Sequence, residues 1–284
     1  MSRYKYLLVG LLFVLRTASA TEIYVDNVDG NDINDGLVPE TRQGNTGPVR
    51  TFARATQLAG TGSTIILRNN GIPYYDSITL TGVRHSGNAA QPFVIVGNGA
   101  TISGLRSVPR EGWRKVGARL WKLTLTRKGY YQLLRSGQLL TEFIPQTAGD
   151  PLSDLPVGQW VSWRGSIYFH QDSVETPDIQ SFAVSCDQTG ISLHQVSNVL
   201  ITNVTLQHFR FDGIHAQGIC SSIELDQVRA IENGRAGVVS TGASRLDIFG
   251  GEIARNGRHQ TLIQDFSKIT SHAAEPAPEP ALVE

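Results

Sequence analysis

The stretch from Val199 to Asp265 constrains the fold most, because three of its segments fall into register with one another. Val199 to Leu206 aligns with Ile223 to Ala230 and with Leu246 to Ile253, so that Val199, Ile223 and Leu246 form one apolar column and Ile201, Leu225 and Ile248 a second. Gly213 to Gly237 and Gly218 to Gly242 are both steps of 24, and Asn233-Gly-Arg235 recurs as Asn256-Gly-Arg258 after 23. A fixed period of this size marks stacked structural repeats.

The repeating segments are short and β-branched, and they alternate apolar with polar residues, which excludes helical repeats. The LxxLxL signature of leucine-rich repeats is absent. Two or three short strands per repeat suit a parallel β-helix, in which each rung pairs with its neighbours about 4.8 Å away and a column of side chains becomes a ladder. Asn233 over Asn256 is one such ladder. Ile214, Val238 and Leu262 extend the pattern at a spacing of 24, with a one-residue insertion expected after Gly257. These features resemble the right-handed parallel β-helix (pectate-lyase-like) superfamily of exported polysaccharide lyases and glycosidases. The expected fold is all-β: a right-handed single-stranded parallel β-helix, or solenoid, with an N-terminal cap helix and a strand-rich insert.

Residues 1–20 read as a cleavable secretory signal: Arg3 and Lys5, an apolar run from Leu7 to Leu15, then Ala18-Ser19-Ala20. The run is far shorter than the ~20 residues of a spanning helix, and no other stretch suits a membrane. The expected location is therefore secreted or periplasmic. Removing the segment leaves a net charge of −3, which gives nucleic-acid binding no electrostatic support. Cys186 and Cys220, the two cysteines of the chain, exclude a disulfide framework and leave open one bridge or two thiols. Asn203-Val-Thr205 fits a glycosylation acceptor, and Asn203 equally fits a coil corner.

Residues 21–104 are expected to hold the cap and the first coils, with strands at 64–67, 78–80, 93–96 and 100–102 and a helix over 51–59 that closes the end of the stack. Asp29, Asp32 and Asp35 lack the spacing of a calcium loop and read as turn residues. Residues 105–180 lose the repeat and concentrate the large aromatics, with hairpin signals at Arg135-Ser-Gly-Gln138 and Arg164-Gly-Ser166. Gln132-Leu133, Gly137, Trp160 and Gly165 to Phe169 resemble the hairpins of inserts in β-helix glycosidase-like families. Regular coils span 181–268, and 269–284 form an Ala/Pro/Glu tail expected to be disordered. The last rung would then need cover from that tail or from a partner at the C-terminal end.

Column arithmetic places His208, Glu232 and Arg255 one rung apart, with Arg210, Asp212 and His215 beside them. A histidine, a carboxylate and an arginine in one place suit proton abstraction or glycosyl hydrolysis. His208, Arg210, Asp212 and Glu232 are the candidate catalytic residues, and Arg255 and His215 candidate substrate ligands. The alternative is a solvated face carrying a Glu232–Arg255 ion pair. The resemblance implies a Lys or Arg base with calcium for many of the lyases; no lysine lies in the rungs from Gly190 to Asp265, so an Arg would have to serve, and the polygalacturonase and pectin-methylesterase patterns are absent. No metal site is read from the residues themselves.

From Arg106 to Lys128 eight cations face Glu111 alone, a local charge of +7, interleaved with Trp113 and Trp121. Arg114, Lys115 and Arg119 would meet an anionic polysaccharide while Trp113 and Trp121 stack on sugar rings. The alternative puts the cations on the wet face of a hairpin and the tryptophans on its dry face. The expected function is a polysaccharide lyase or glycoside hydrolase, or else a non-catalytic carbohydrate-binding or envelope structural protein.

Overall fold

The computed structural model describes residues 21–126, 128–147, 149–173 and 181–272. The expected signal segment and the end of the expected tail lie outside the described residues. Those described form an all-β fold with one short α-helix, and their strands fall into three parallel sheets and two antiparallel ones. Among them, no helix is long and apolar enough to cross a membrane.

The first parallel sheet runs in the order Glu22–Val25, Thr64–Leu67, Phe93–Val96, Ser197–Thr202, Ser221–Asp226, Arg245–Phe249 and Lys268–His272. The second holds Thr101–Ser103, Thr205–Gln207, Arg229–Ile231 and Glu252–Ala254, and the third Ile78–Thr81, Thr189–His194, Asp212–Gln217, Ala236–Ser240 and His259–Ile263. From Ser197 onward the chain visits the three sheets in the same rotation, and each strand pairs in parallel with its counterpart one turn earlier. This topology is compatible with a β-helix.

Side-chain alternation turns every second residue of these strands inward. Val199 pairs with Ile223 and Ile223 with Leu246, while Ile201, Leu225 and Ile248 align in the neighbouring column, and all six are buried. Each such side chain contributes about 1.5–3 kcal/mol on burial, so the stacked columns supply the core. At one corner Asn233 sits under Asn256: its backbone N–H and its Nδ2 both donate to Asn256 Oδ1, at 2.9 and 3.0 Å, and its own Oδ1 accepts from Phe209 N. These buried amides satisfy the backbone groups that the bend takes out of the sheets.

Helix α1, Phe52–Leu58, starts where Thr51 Oγ1 accepts from Arg54 N, and it buries Phe52 and Ala55 against the strands Glu22–Val25 and Ile78–Thr81. The acid-rich loop before it serves turns. Asp32 Oδ1 accepts from the backbone N–H groups of Arg50 and Thr51, and Asp35 Oδ1 from that of Leu37.

The insert leaves the coil after Thr101–Ser103 and returns before Thr189–His194, and at its neck Cys186 N and Asp187 N both donate to Gly104 O, at 2.8 and 3.2 Å. One antiparallel sheet joins Trp160–Trp163, Ser166–His170, Leu120–Thr124 and Trp113–Lys115. The other joins Gln138–Leu139, Leu133–Arg135, Phe182–Ser185 and Leu105–Ser107, so antiparallel pairing continues to Ser185. Both hairpins turn through left-handed residues, Ser136 and Gly137 in one, Arg164 and Gly165 in the other, as two-residue connections between twisted strands require.

The register of the last coil differs from expectation. Val238 pairs with Thr261, and Leu262 pairs with Val239. The step of 23 set at Asn256-Gly257 is kept through His259–Ile263, so there is no insertion after Gly257. Residues 269–272, assigned to the tail, belong to the strand Lys268–His272. Cys220 is a free buried thiol, so the bridge to Cys186 is not formed.

Candidate functional site

His208, Glu232 and Arg255 occupy equivalent left-handed corners, with φ of 59°, 54° and 57°. Arg255 Nε donates to Glu232 Oε1 at 3.0 Å and its Nη1 to Glu252 Oε1 at 2.8 Å, while Arg229 bonds the other oxygen of Glu252. Bonds from Arg229 and Arg255 hold the Glu252 carboxyl below its usual range. His208 differs from expectation. Its ring is buried, with Nε2 3.7 Å from Glu232 Oε2 and Nδ1 enclosed without a hydrogen-bond partner among the described residues. Burial pushes its pKa down, against the opposing pull of Glu232.

Arg210 was expected outside, beside the ladder, but its side chain is buried. It donates from Nε to Cys186 O at 3.1 Å and from Nη1 to the carbonyls of Lys128 and Gly129. It fastens the insert to the corner of a rung. The Asp212 carboxylate is fully buried and takes both oxygens to the Arg235 guanidinium, at 2.9 and 2.5 Å. His215 Nδ1 lies 3.6 Å from Asp212 Oδ2, and burial lowers its pKa. The six residues thus fall into a His208–Glu232–Arg255 group, an Asp212–His215 pair and Arg210 turned toward the insert, and the two acids of the set are already engaged by arginines.

The aromatic and basic run is divided by its own sheet. Trp113 and Trp121 pack into the insert core with Phe169 and Phe182, so they offer no open ring to a sugar. Lys115 lies across from Trp121 and Arg114 across from Lys122, and alternation therefore sends Arg114 and Lys115 to opposite faces. Lys122 stands over the Tyr168 ring, and Arg106 pairs with Asp187. Arg119 is exposed in the connection before Leu120–Thr124. An insert this size needs a core of its own, and that requirement takes the tryptophans.

A different site forms where the insert lies against the rungs. A Cβ on Gly234 would stand 2.4 Å from Arg210 O and 2.7 Å from Tyr130 O, and one on Gly257 2.4 Å from Gly234 O. Only glycine permits this approach. The crossing segment turns through Gly129 (φ 87°) and Tyr130 (φ 49°). It is tied down by Gln132, whose Nε2 donates to Glu232 O at 2.9 Å. Between the two layers lies a cleft of about 770 Å³, with Tyr130, Gln132, Glu142, Ser162 and Arg258 among its lining residues. Ligand sites commonly measure roughly 300–1,000 Å³.

Tyr130 is half-exposed at this cleft, edge-on to Phe211. Glu142 follows the hairpin strand Gln138–Leu139 and bridges to Trp160 through the backbone. Its carboxyl accepts no hydrogen bond from the described residues. Glu142 is solvent-accessible at the open side of the cleft, and protein packed around its carboxyl pushes the pKa up, against the pull of Arg258. Sequence reasoning missed Tyr130, Glu142 and Arg258 because the cleft is assembled from stretches more than a hundred residues apart. The repeated Asn-Gly at 233 and 256 and the Gln132 hairpin were the signals nearest to it. Among the described residues no group of three His, Cys, Asp or Glu side chains is arranged to hold a metal ion.

No protein-family model matches the sequence, and no curated protein does. Among solved structures, the chain is similar to one titled "The complex structure of XylC with xylose", at 10% identity and a TM-score of 0.44, over 88% of this chain and 70% of that one.

Proposed function

We propose that this chain is an exported, right-handed parallel β-helix protein that holds a polysaccharide in the cleft between its insert and its rungs. The rotation of the chain through three parallel sheets supports the solenoid, and the general preference for right-handed crossovers supports its hand. Residues 1–20 support export. The observation that carries the function is the cleft, lined by a half-exposed tyrosine, a carboxyl that accepts no hydrogen bond from the described residues and a guanidinium that donates none to them. An apolar ring face with a few converging polar groups is the general form of a sugar site. Isothermal titration with a panel of soluble polysaccharides tests it. Binding that Tyr130→Ala weakens at least tenfold supports the reading, and binding indifferent to that change rejects it.

A second reading, cleavage of a glycosidic bond, is favoured by Glu142 alone. A carboxyl that keeps its proton to higher pH suits the general-acid role. The partner carboxylate that hydrolysis uses does not come from the 208–255 ladder as it stands, where Glu232 is bound to Arg255. Release of reducing ends from the same panel, abolished by Glu142→Gln, would establish it.

A further inference from the structure

We infer that the glycan taken by this cleft is uncharged. The inference rests on the cleft being the binding site and names the class of sugar it selects.

The first ground is the charge of the lining. Among the described residues Glu142 and Arg258 are the ionised side chains that line it, and they cancel; Tyr130, Gln132, Thr141 and Ser162 are neutral donors and acceptors. A uronate or sulfate entering here meets one cation already opposed by an acid. It also brings a second negative charge beside a carboxylate, and like charges at close range repel. A hydroxyl carries no such cost. The Glu142 carboxylate can accept from two neighbouring hydroxyls, and the guanidinium of Arg258 can donate to the oxygens of the same ring.

The second ground is where the other cations are. Arg255 and Arg229 are committed to Glu232 and Glu252, and Arg235 to Asp212. Lys128 donates to the carbonyls of Leu125 and Gly165. Arg114 and Lys115 sit on the outer edge strand of the insert, on opposite faces. None of these lines the cleft, so the positive run read from the sequence does not give the site a positive potential.

The test pairs neutral gluco-, manno- and xylo-oligosaccharides with oligogalacturonates of matched length, titrated by calorimetry at low salt and at about 0.5 M, where the Debye length falls to a few Å. The expected result is that at least one neutral series binds, with its affinity changing less than twofold between the two salts, and that oligogalacturonate does not bind. Tyr130→Ala is expected to weaken the neutral series tenfold or more. Glu142→Gln leaves Arg258 unopposed, so it should weaken the neutral series and let the uronate bind in a salt-sensitive way. Melting temperatures within a few degrees of the parent show that both variants are folded. Oligogalacturonate binding to the parent protein, lost in Tyr130→Ala, would overturn the uncharged class while leaving the cleft as the site. Binding of either class that neither Tyr130→Ala nor Arg258→Ala alters, or no binding at all, would overturn the cleft and this inference with it.

Discussion

The side chain of Gln132 donates from Nε2 to the backbone oxygen of Glu232 at 2.9 Å, joining residues one hundred positions apart. With Arg210 on the carbonyls of Lys128 and Gly129, it sets where the insert stands on the rungs. Gln132→Leu should cost about 1 kcal/mol, at the low end for a lost buried bond, because Gln132 Oε1 is itself enclosed without a partner among the described residues and its removal offsets part of the loss. Hydrogen exchange should quicken at Tyr131 and Gln132 while the amides of Ser221–Asp226 stay protected.

The Asn233 side chain makes three hydrogen bonds at the corner, with Phe209 N, Leu206 O and Asn256 Oδ1. Asn233→Ala removes the acceptor for Phe209 N and a donor to Leu206 O, leaving both groups buried. We expect a loss of about 3 kcal/mol in urea denaturation, from two unsatisfied groups at roughly 1–3 kcal/mol each less some relaxation.

Leu225 lies in the middle of its column, fully buried between Ile201 and Ile248. Leu225→Ala should cost about 2–5 kcal/mol without altering glycan binding, since Leu225 belongs to the core of the coils and does not line the cleft. A change in affinity without a change in stability would contradict this placement.

Stability should fall on the acid side of neutrality through His208. Its folded pKa lies below the reference 6.5, so the unfolded chain binds the proton more readily. The contribution is therefore complete above pH ~6.5 and is lost as pH falls from there through the folded value. His215 acts in the same direction. His208→Gln should flatten the fall in unfolding free energy between pH 7 and pH 5, and a slope identical to the parent's would show that His208 does not titrate with folding.

Glu142 carries the opposite sign. Its folded pKa is raised by the protein packed around its carboxyl, so what it contributes is fully present below its unfolded pKa and is lost as pH rises through the folded one. Glu142→Gln should raise the melting temperature at pH 7 relative to the parent and change it little at pH 4, with glycan affinity falling at the same time.

The parallel sheets were legible in the sequence because burial imposes a strict pattern there: Ile201, Leu225 and Ile248 must all face inward, and any slip would expose them. The alignment of His208, Glu232 and Arg255 on successive rungs could be read by the same arithmetic, whereas their left-handed backbone could not. Leu262 misled because it is apolar at the right distance from Val238, whereas backbone register is set earlier, where Asn256 stacks on Asn233. Trp113 and Trp121 misled because a tryptophan in a basic stretch looks the same in sequence whether its ring is open or packed. Glu142 gave no signal at all. Its character comes from Arg258 and from the enclosing walls of the cleft, and those reach it only through the fold.

The neck at Gly104, where Cys186 N and Asp187 N return to one carbonyl, has a consequence for how such a chain can change over generations. Ile78–Thr81, Phe93–Val96 and Thr101–Ser103 pair directly with strands that follow the neck, so the core continues across it without reference to what the excursion contains. Doubling a loop costs only ~0.6 kcal/mol in closure entropy. The segment between 104 and 186 can therefore be lengthened, shortened or exchanged as a cassette, with one wall of the cleft replaced at each exchange and the framework that displays it inherited intact.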